Sequence, residues 1–194
     1  MGNPSYDIRP LTSETWEPYA NLIERHNGVW GGCWCMMFHP SSTTGKGDEA
    51  AAARRAEKKA LVDRGAAHAA LVFSGESCIG WAQYGGCAEL PRIQNRRAYE
   101  AGLDGDLPDW RITCFFTDKN HRRAGVSAAA LAGAVDLIGA QGGGRVEAYP
   151  DDVAGRKTSA GFLCAGTLGL FEKAGFAKRR KIGKHRWVVD RAVG

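Results

Sequence analysis

The sequence predicts an α+β fold in one domain, 1–194, with a mixed central β-sheet flanked by helices. Three observations predict it. Strand-like runs outnumber the helices that could cross between them, two pairs of such runs are joined by short turns, and a length of 194 residues suits one buried core.

The elements follow in order. "YDIRPL" alternates as a short strand, and "TSETWEPYANLIERH" is a helix to about His26, with Thr12 or Ser13 as its N-cap and acidic residues in its first turn. Residues 27–47, "NGVWGGCWCMMFHPSSTTGKG", mix turn formers with bulky aromatics and read as a loop. "DEAAAARRAEKKALVDRG" is a helix from Asp48 that stops at Gly65. "HAALVFSGESCIGWAQYGG" holds two β-prone runs around Ser74 to Ser77, the pattern of a hairpin. A short helix in "PRIQNRRAYEAG" precedes the strand "DWRITCFFTD". "VSAAALAGAVDLIGAQGGG" is a helix with Leu131, Val135 and Ile138 on one face. "RVEAYP" is a strand, "AGTLGLFEKAG" a helix ended by Gly175, and "FAKRRKIGKHRWVVDRA" a closing hairpin that turns at Gly183.

Composition narrows the function. Hydrophobic residues make up 44% of the chain, and no apolar run approaches the roughly 18 residues of a membrane helix. The start "MGNPSYDIRPL" lacks the basic-then-apolar pattern of a secretory signal, so no membrane and a cytoplasmic place are expected. Six cysteines scattered through core-like segments read as reduced thiols, not a disulfide framework. A net charge of +5 favours anionic partners, and the charge gathers at Arg122–Arg123 and in "KRRKIGKHR", Lys178 to Arg186. The five histidines show no metal-binding spacing, and "CWC" is one residue short of a usual zinc pair, so no metal is expected.

The junction "DKNHRRAGVSAAAL" carries the functional argument. A strand that ends in a basic, glycine-containing loop and opens a helix leaves the first helical N–H groups free for an anion. Gly125 would let the backbone approach a phosphate, and Arg122 and Arg123 would add charge. The alternative is a solvated basic turn before a core helix. Neither a dinucleotide G-x-G-x-x-G nor a P-loop occurs, so another phosphate carrier is needed.

"RRAGVS", Arg122 to Ser127, resembles the [QR]-x-x-G-x-[GA] pyrophosphate loop of the GCN5-related N-acetyltransferase (GNAT) family, with Ser127 in place of the last small residue. "LFEKAGF", Leu170 to Phe176, is similar to that family's late LYEKxGF segment, and the order of elements agrees. "CWCM", Cys33 to Met36, resembles a loop of a bacterial subset. The resemblance implies a GNAT-like fold with a splayed β4/β5 pair and acetyl-CoA, or another acyl-CoA, as donor. Its pyrophosphate would sit on Arg122, Arg123, Ala124, Gly125, Val126 and Ser127, and its pantetheine arm along Phe115, Phe116 and Thr117. Backbone donors in the splay would hold the thioester carbonyl.

The resemblance breaks in three places, one of them a longer, charged link from Tyr149 to Leu163, "YPDDVAGRKTSAGFL". Phe171 stands where the family often has a proton-donating tyrosine, and Cys164 where an asparagine is frequent; Tyr149 or Cys164 could serve as acid, or none is used. Glu147 is the preferred general base, with Asp118 second, and strand alternation puts Glu147 and Tyr149 on one face. An ion-paired Glu147 with a core Tyr149 is the alternative. Trp34, Cys35 and Phe38 are expected to line an acceptor pocket. The function expected is N-acetyl transfer to a primary amine of a small molecule by direct attack in a ternary complex. Two alternatives stand beside it: a transferase using or modifying aminoacyl-tRNA, and a non-catalytic acyl-CoA sensor. A homodimer is a further expectation at family level.

Overall fold

A computed structural model describes residues 6–41, 43–159 and 163–194. Among them seven strands form one mixed sheet in the order β1-β2-β3-β4-β5-β7-β6. They are β1 (Asp7–Pro10), β2 (His68–Ser74), β3 (Ser77–Gly86), β4 (Trp110–Thr117), β5 (Gly144–Ala148), β6 (Ala177–Lys181) and β7 (Trp187–Val193). Every neighbouring pair is antiparallel except β4 with β5. A parallel pair needs a crossover, and the helix α4 (Val126–Ala140) supplies it. The remaining helices are α1 (Trp16–Glu24), α2 (Asp48–Asp63), α3 (Arg96–Ala101) and α5 (Leu168–Lys173).

The sheet separates two cores. On one face α1 buries Trp16, Tyr19, Ala20, Leu22 and Ile23, a stripe at helical spacing, against Leu71, Phe73, Trp81 and Cys114. On the other face α4 and α5 cover Val72, Ile79, Ala82, Ile112 and Phe115. The small residues of α4 let it settle deeply on the sheet. A Cβ on Gly133 would come within 2.4 Å of the Ile8 side chain, so β1 and the helix meet without room for a methyl group. A smaller cluster under α3 joins Tyr99, Tyr149, Ile182 and Val188.

The predicted elements appear in the predicted order, with one correction at a helix start. Neither Thr12 nor Ser13 caps α1, which begins at Trp16 after Thr15. The Thr15 hydroxyl donates to the Pro10 carbonyl at 2.7 Å and accepts from the Thr12 N–H at 2.8 Å. It stabilises the bend between β1 and α1 instead of the helix end. No described helix is long and apolar enough to cross a membrane.

Candidate active site

β4 and β5 pair over only three positions, from Trp110↔Val146 to Ile112↔Ala148. Beyond Ala148 the chain veers away and forms isolated bridges from Asp151 to Thr167 and Arg186. The two strands therefore open like a V, leaving the edge of β4 from Thr113 to Thr117 without a strand partner among the described residues. The base of the V is not empty. The Phe115 N–H donates to the Cys164 carbonyl at 2.7 Å, which corrects the expectation that backbone donors in the splay stand free.

At the end of β4 the chain turns through Asp118, whose carboxylate accepts from the Asn120 N–H at 2.9 Å and from two nitrogens of Arg25 at 3.1 and 3.0 Å. Although burial opposes it, that set of donors, with His26 nearby, holds the Asp118 carboxyl below its ordinary value. Asp118 is thus committed to fixing the loop. Arg123 (φ 63°) and Gly125 (φ 82°) both adopt left-handed backbone. A Cβ on Gly125 would meet nothing within 4 Å, so glycine is favoured there by its torsion and not by close packing. The first helical bond of α4 runs from the Ala129 N–H to the Gly125 carbonyl at 3.0 Å. The amides of Val126, Ser127 and Ala128 therefore lack helical partners, and the positive end of the helix dipole lies here.

Two contacts hold this junction in place. The Thr117 and Ser127 hydroxyls lie 3.1 Å apart, and the Tyr6 hydroxyl donates to the Ala124 carbonyl at 2.7 Å. A cleft of 220 Å³ follows the β4 edge to this loop. It brings together Phe115, Phe116, Thr117, Arg122, Arg123, Val126 and Ser127; Ala124 and Gly125 shape the loop without lining it. Neither arginine has an ion-pair partner among the described residues. Trp30, His121 and Leu163 also line the cleft, and no spacing in the sequence marks them.

Trp30 belongs to an unusual stretch. Asn27, Gly28, Val29, Trp30, Gly31, Gly32, Trp34 and Cys35 all have positive φ, and the Cys33 N–H donates to the Val29 carbonyl at 3.2 Å. This is a left-handed turn, which costs L-residues about 1–2 kcal/mol each. It leaves the Trp30 indole 41% exposed. The same indole also lines a pocket of 250 Å³ whose other walls include Cys35, Phe38, Met37, Cys114, Cys164 and Arg186. Of the three residues expected at an acceptor pocket, Cys35 and Phe38 line this one together. Trp34 does not: it is buried and stacks on Trp16 with ring centroids 5.6 Å apart. The Arg186 guanidinium at this pocket is already paired with Asp151 at 2.6 Å.

Beneath the pocket runs a buried polar chain that the sequence does not reveal. Lys58 Nζ donates to His39 Nε2 at 2.9 Å, and Gln83 Nε2 donates to the same nitrogen at 2.7 Å and to the Cys35 carbonyl at 3.2 Å. The Thr113 hydroxyl donates to the Gln83 side-chain oxygen at 3.2 Å. Burial, and then the neighbouring Lys58 charge, pull His39 down to about 2, so its ring is neutral. Burial also lowers Lys58.

Glu147 and Tyr149 come together, as strand alternation predicts, but they face α3. Glu147 Oε2 accepts the Tyr99 hydroxyl at 2.8 Å and the Tyr149 hydroxyl at 3.1 Å. Burial pushes Tyr149 well above its ordinary value, with the charge of Glu147 adding to the shift. Neither residue lines the cleft or the sulfur-lined pocket. Phe171 is wholly buried and meets Phe115 and Phe176 edge-on at 5.8 and 5.1 Å. Among the described residues no group of three or more His, Cys, Asp or Glu side chains is placed to hold a metal. All six cysteines are free thiols.

No family model matches the sequence, and no curated protein matches it. Solved structures do. A Corynebacterium glutamicum protein described as a histone acetyltransferase HPA2 and related acetyltransferase aligns over 98% of this chain and 98% of its own, at 13% identity and a TM-score of 0.56. An acetyltransferase of the GNAT family from Streptococcus pneumoniae aligns over 98% and 100%, at 12% identity and 0.52. The PaiA N-acetyltransferase of Thermoplasma acidophilum, in complex with coenzyme A, aligns over 97% and 99%, at 14% identity and 0.50. The chain therefore has an acyltransferase-type α+β fold. In particular, that fold is the one of the GNAT acetyltransferases.

Proposed function

We propose that this protein is an N-acetyltransferase that carries an acetyl or other acyl group from coenzyme A to the primary amine of a small molecule, by direct attack in a ternary complex. One observation carries the proposal. The edge of β4, which has no strand partner among the described residues and is bridged at Phe115 by the Cys164 carbonyl, leads through one cleft to the amides at the start of α4 flanked by Arg122 and Arg123. An extended arm ending in a pyrophosphate has this shape, since the arm can pair with a strand edge and the phosphates can take helix N-terminal amides. The coenzyme A complex of the Thermoplasma neighbour supports the same donor.

The acceptor would enter the sulfur-lined pocket beside Trp30. Among the described residues its lining includes no carboxylate, and its arginine is paired. A polycation would find nothing to hold its charges there, so a monoamine with an apolar or aromatic body fits best. A tRNA acceptor is less favoured because the basic hairpin is engaged within the protein. Arg179 pairs with Asp190 at 2.7 Å, Lys178 and Lys181 lie over Trp187, and Arg180 over Tyr99. A part for Glu147 and Tyr149 in proton transfer would require α3 to move aside.

Calorimetric titration of acetyl-CoA into the wild type and Gly125→Glu tests the donor site. Binding by the wild type that is lost in the variant is the expected result, since the new carboxylate projects from the anion loop. Equal binding by both would remove the phosphates from this loop, and no binding by either would end the proposal. Acceptor-dependent release of free thiol, faster with an aromatic monoamine than with a polyamine, tests the second pocket.

A further inference from the structure

The floor of the sulfur-lined pocket contains an arrangement that acyl transfer does not use. Cys35 Sγ and Cys114 Sγ lie 3.0 Å apart, the first on the loop after α1 and the second on β4. Both line the pocket, so a small molecule entering it reaches them even though the residues are otherwise buried. Lys58 is buried where the charge of either thiol reaches it, and its hydrogen-bond partner among the described residues is the neutral His39, not a carboxylate. A buried ammonium needs a compensating negative charge. Negative charge on Cys35 acts on it most strongly, ahead of the Glu89 carboxylate and Cys114.

We propose that Cys35 and Cys114 form an oxidisable dithiol whose co-reactant is a small hydroperoxide. The Cys35 thiolate attacks the terminal peroxide oxygen. The O–O bond breaks, Cys35 becomes a sulfenic acid, and the alkoxide or hydroxide departs with a proton as alcohol or water. Cys114 sulfur then attacks the Cys35 sulfur and expels hydroxide, which takes the Cys114 proton and leaves as water. Two thiols lose two electrons to one hydroperoxide, and the new disulfide fastens the loop to β4 under the pocket.

The electrostatics agree with these roles. Burial pushes the Cys35 thiol up, but the hydrogen bond with Cys114 and the Lys58 charge outweigh it and leave Cys35 below its ordinary value. Cys114 is held well above, first by that hydrogen bond and then by burial. These directions favour the thiolate on Cys35, the sulfur on which the Lys58 charge acts.

The test needs no acetyl donor or acceptor, so it stands apart from the proposed transferase activity. The protein is treated with a small excess of hydrogen peroxide, denatured with a maleimide, and mapped by mass spectrometry. A chain lighter by two hydrogen atoms, with a Cys35–Cys114 cross-linked peptide that dithiothreitol reverses, is expected. In Cys114→Ser, a cyclic 1,3-diketone should label Cys35 instead. In Lys58→Met, loss of the cation should slow disulfide formation by about tenfold, through a smaller thiolate fraction. Consumption of Cys33, Cys87 or Cys164 while Cys35 and Cys114 stay unlinked would overturn the proposal. So would a wild type in which no thiol reacts. An unchanged rate in Lys58→Met would overturn the part assigned to the lysine.

Discussion

The Phe115 amide and the Cys164 carbonyl are hydrogen-bonded at 2.7 Å across the opening between β4 and the chain that leaves β5. In the proposed donor site, the carbonyl of a bound thioester would seek the same Phe115 donor. Donor binding should displace the Cys164 carbonyl. Hydrogen exchange followed by mass spectrometry is expected to show residues 163–166 exchanging faster with acetyl-CoA present, while residues 122–127 become protected. Protection of both segments would place the thioester elsewhere.

Arg122 and Arg123 are expected to add affinity through charge. The double substitution to alanine should weaken acetyl-CoA binding about tenfold at low salt, the equivalent of roughly 1.4 kcal/mol. The deficit should shrink at about 1 M salt, where the screening length falls to about 3 Å. A deficit independent of salt would point to lost packing and not lost charge.

His39 gives the fold a pH dependence of defined sign. Its folded value near 2 lies below the unfolded one, so its contribution is complete above about pH 6.5 and is lost as pH falls through that range. The slope attributable to it is at most about 1.4 kcal/mol per pH unit. Urea denaturation of the wild type between about pH 5 and 7, a window set by the unfolded histidine value, should show this slope, and His39→Gln should flatten it. Identical slopes would mean that the ring protonates in the folded protein.

Glu147 anchors two tyrosine hydroxyls under α3. Glu147→Gln is expected to cost about 1.5–3 kcal/mol of stability, the range for hydrogen bonds to a charged group. With α3 in the position seen, kcat should fall by less than about tenfold, whereas loss of a general base costs about 10²–10⁴-fold. A drop of that size in a folded variant would return the proton to Glu147.

Much of this molecule can be read from its sequence. The helices and hairpins are visible because each is a local pattern: alanine and leucine at helical spacing in α4, β-branched and aromatic runs in β3 and β4. The anion loop is equally local. What stays hidden depends on distant partners. Trp30 and Trp34 are indistinguishable in a loop without periodicity, and the left-handed backbone that turns one outward and stacks the other on Trp16 has no signature in "GVWGGCWC". Thr15 replaces Thr12 at the start of α1 because Pro10, across the bend, needs its carbonyl satisfied. Likewise, nothing near Lys58 in the chain announces that it is buried against His39.

Trp30 lines both the cleft beside β4 and the sulfur-lined pocket. If donor and acceptor bind as proposed, one indole lines both of their sites and would couple them. Whatever factor the donor imposes on acceptor affinity through this ring, the acceptor must impose on the donor, as linkage requires. Order of substrate addition, cooperative or competitive, would then be written in the rotamer of one tryptophan.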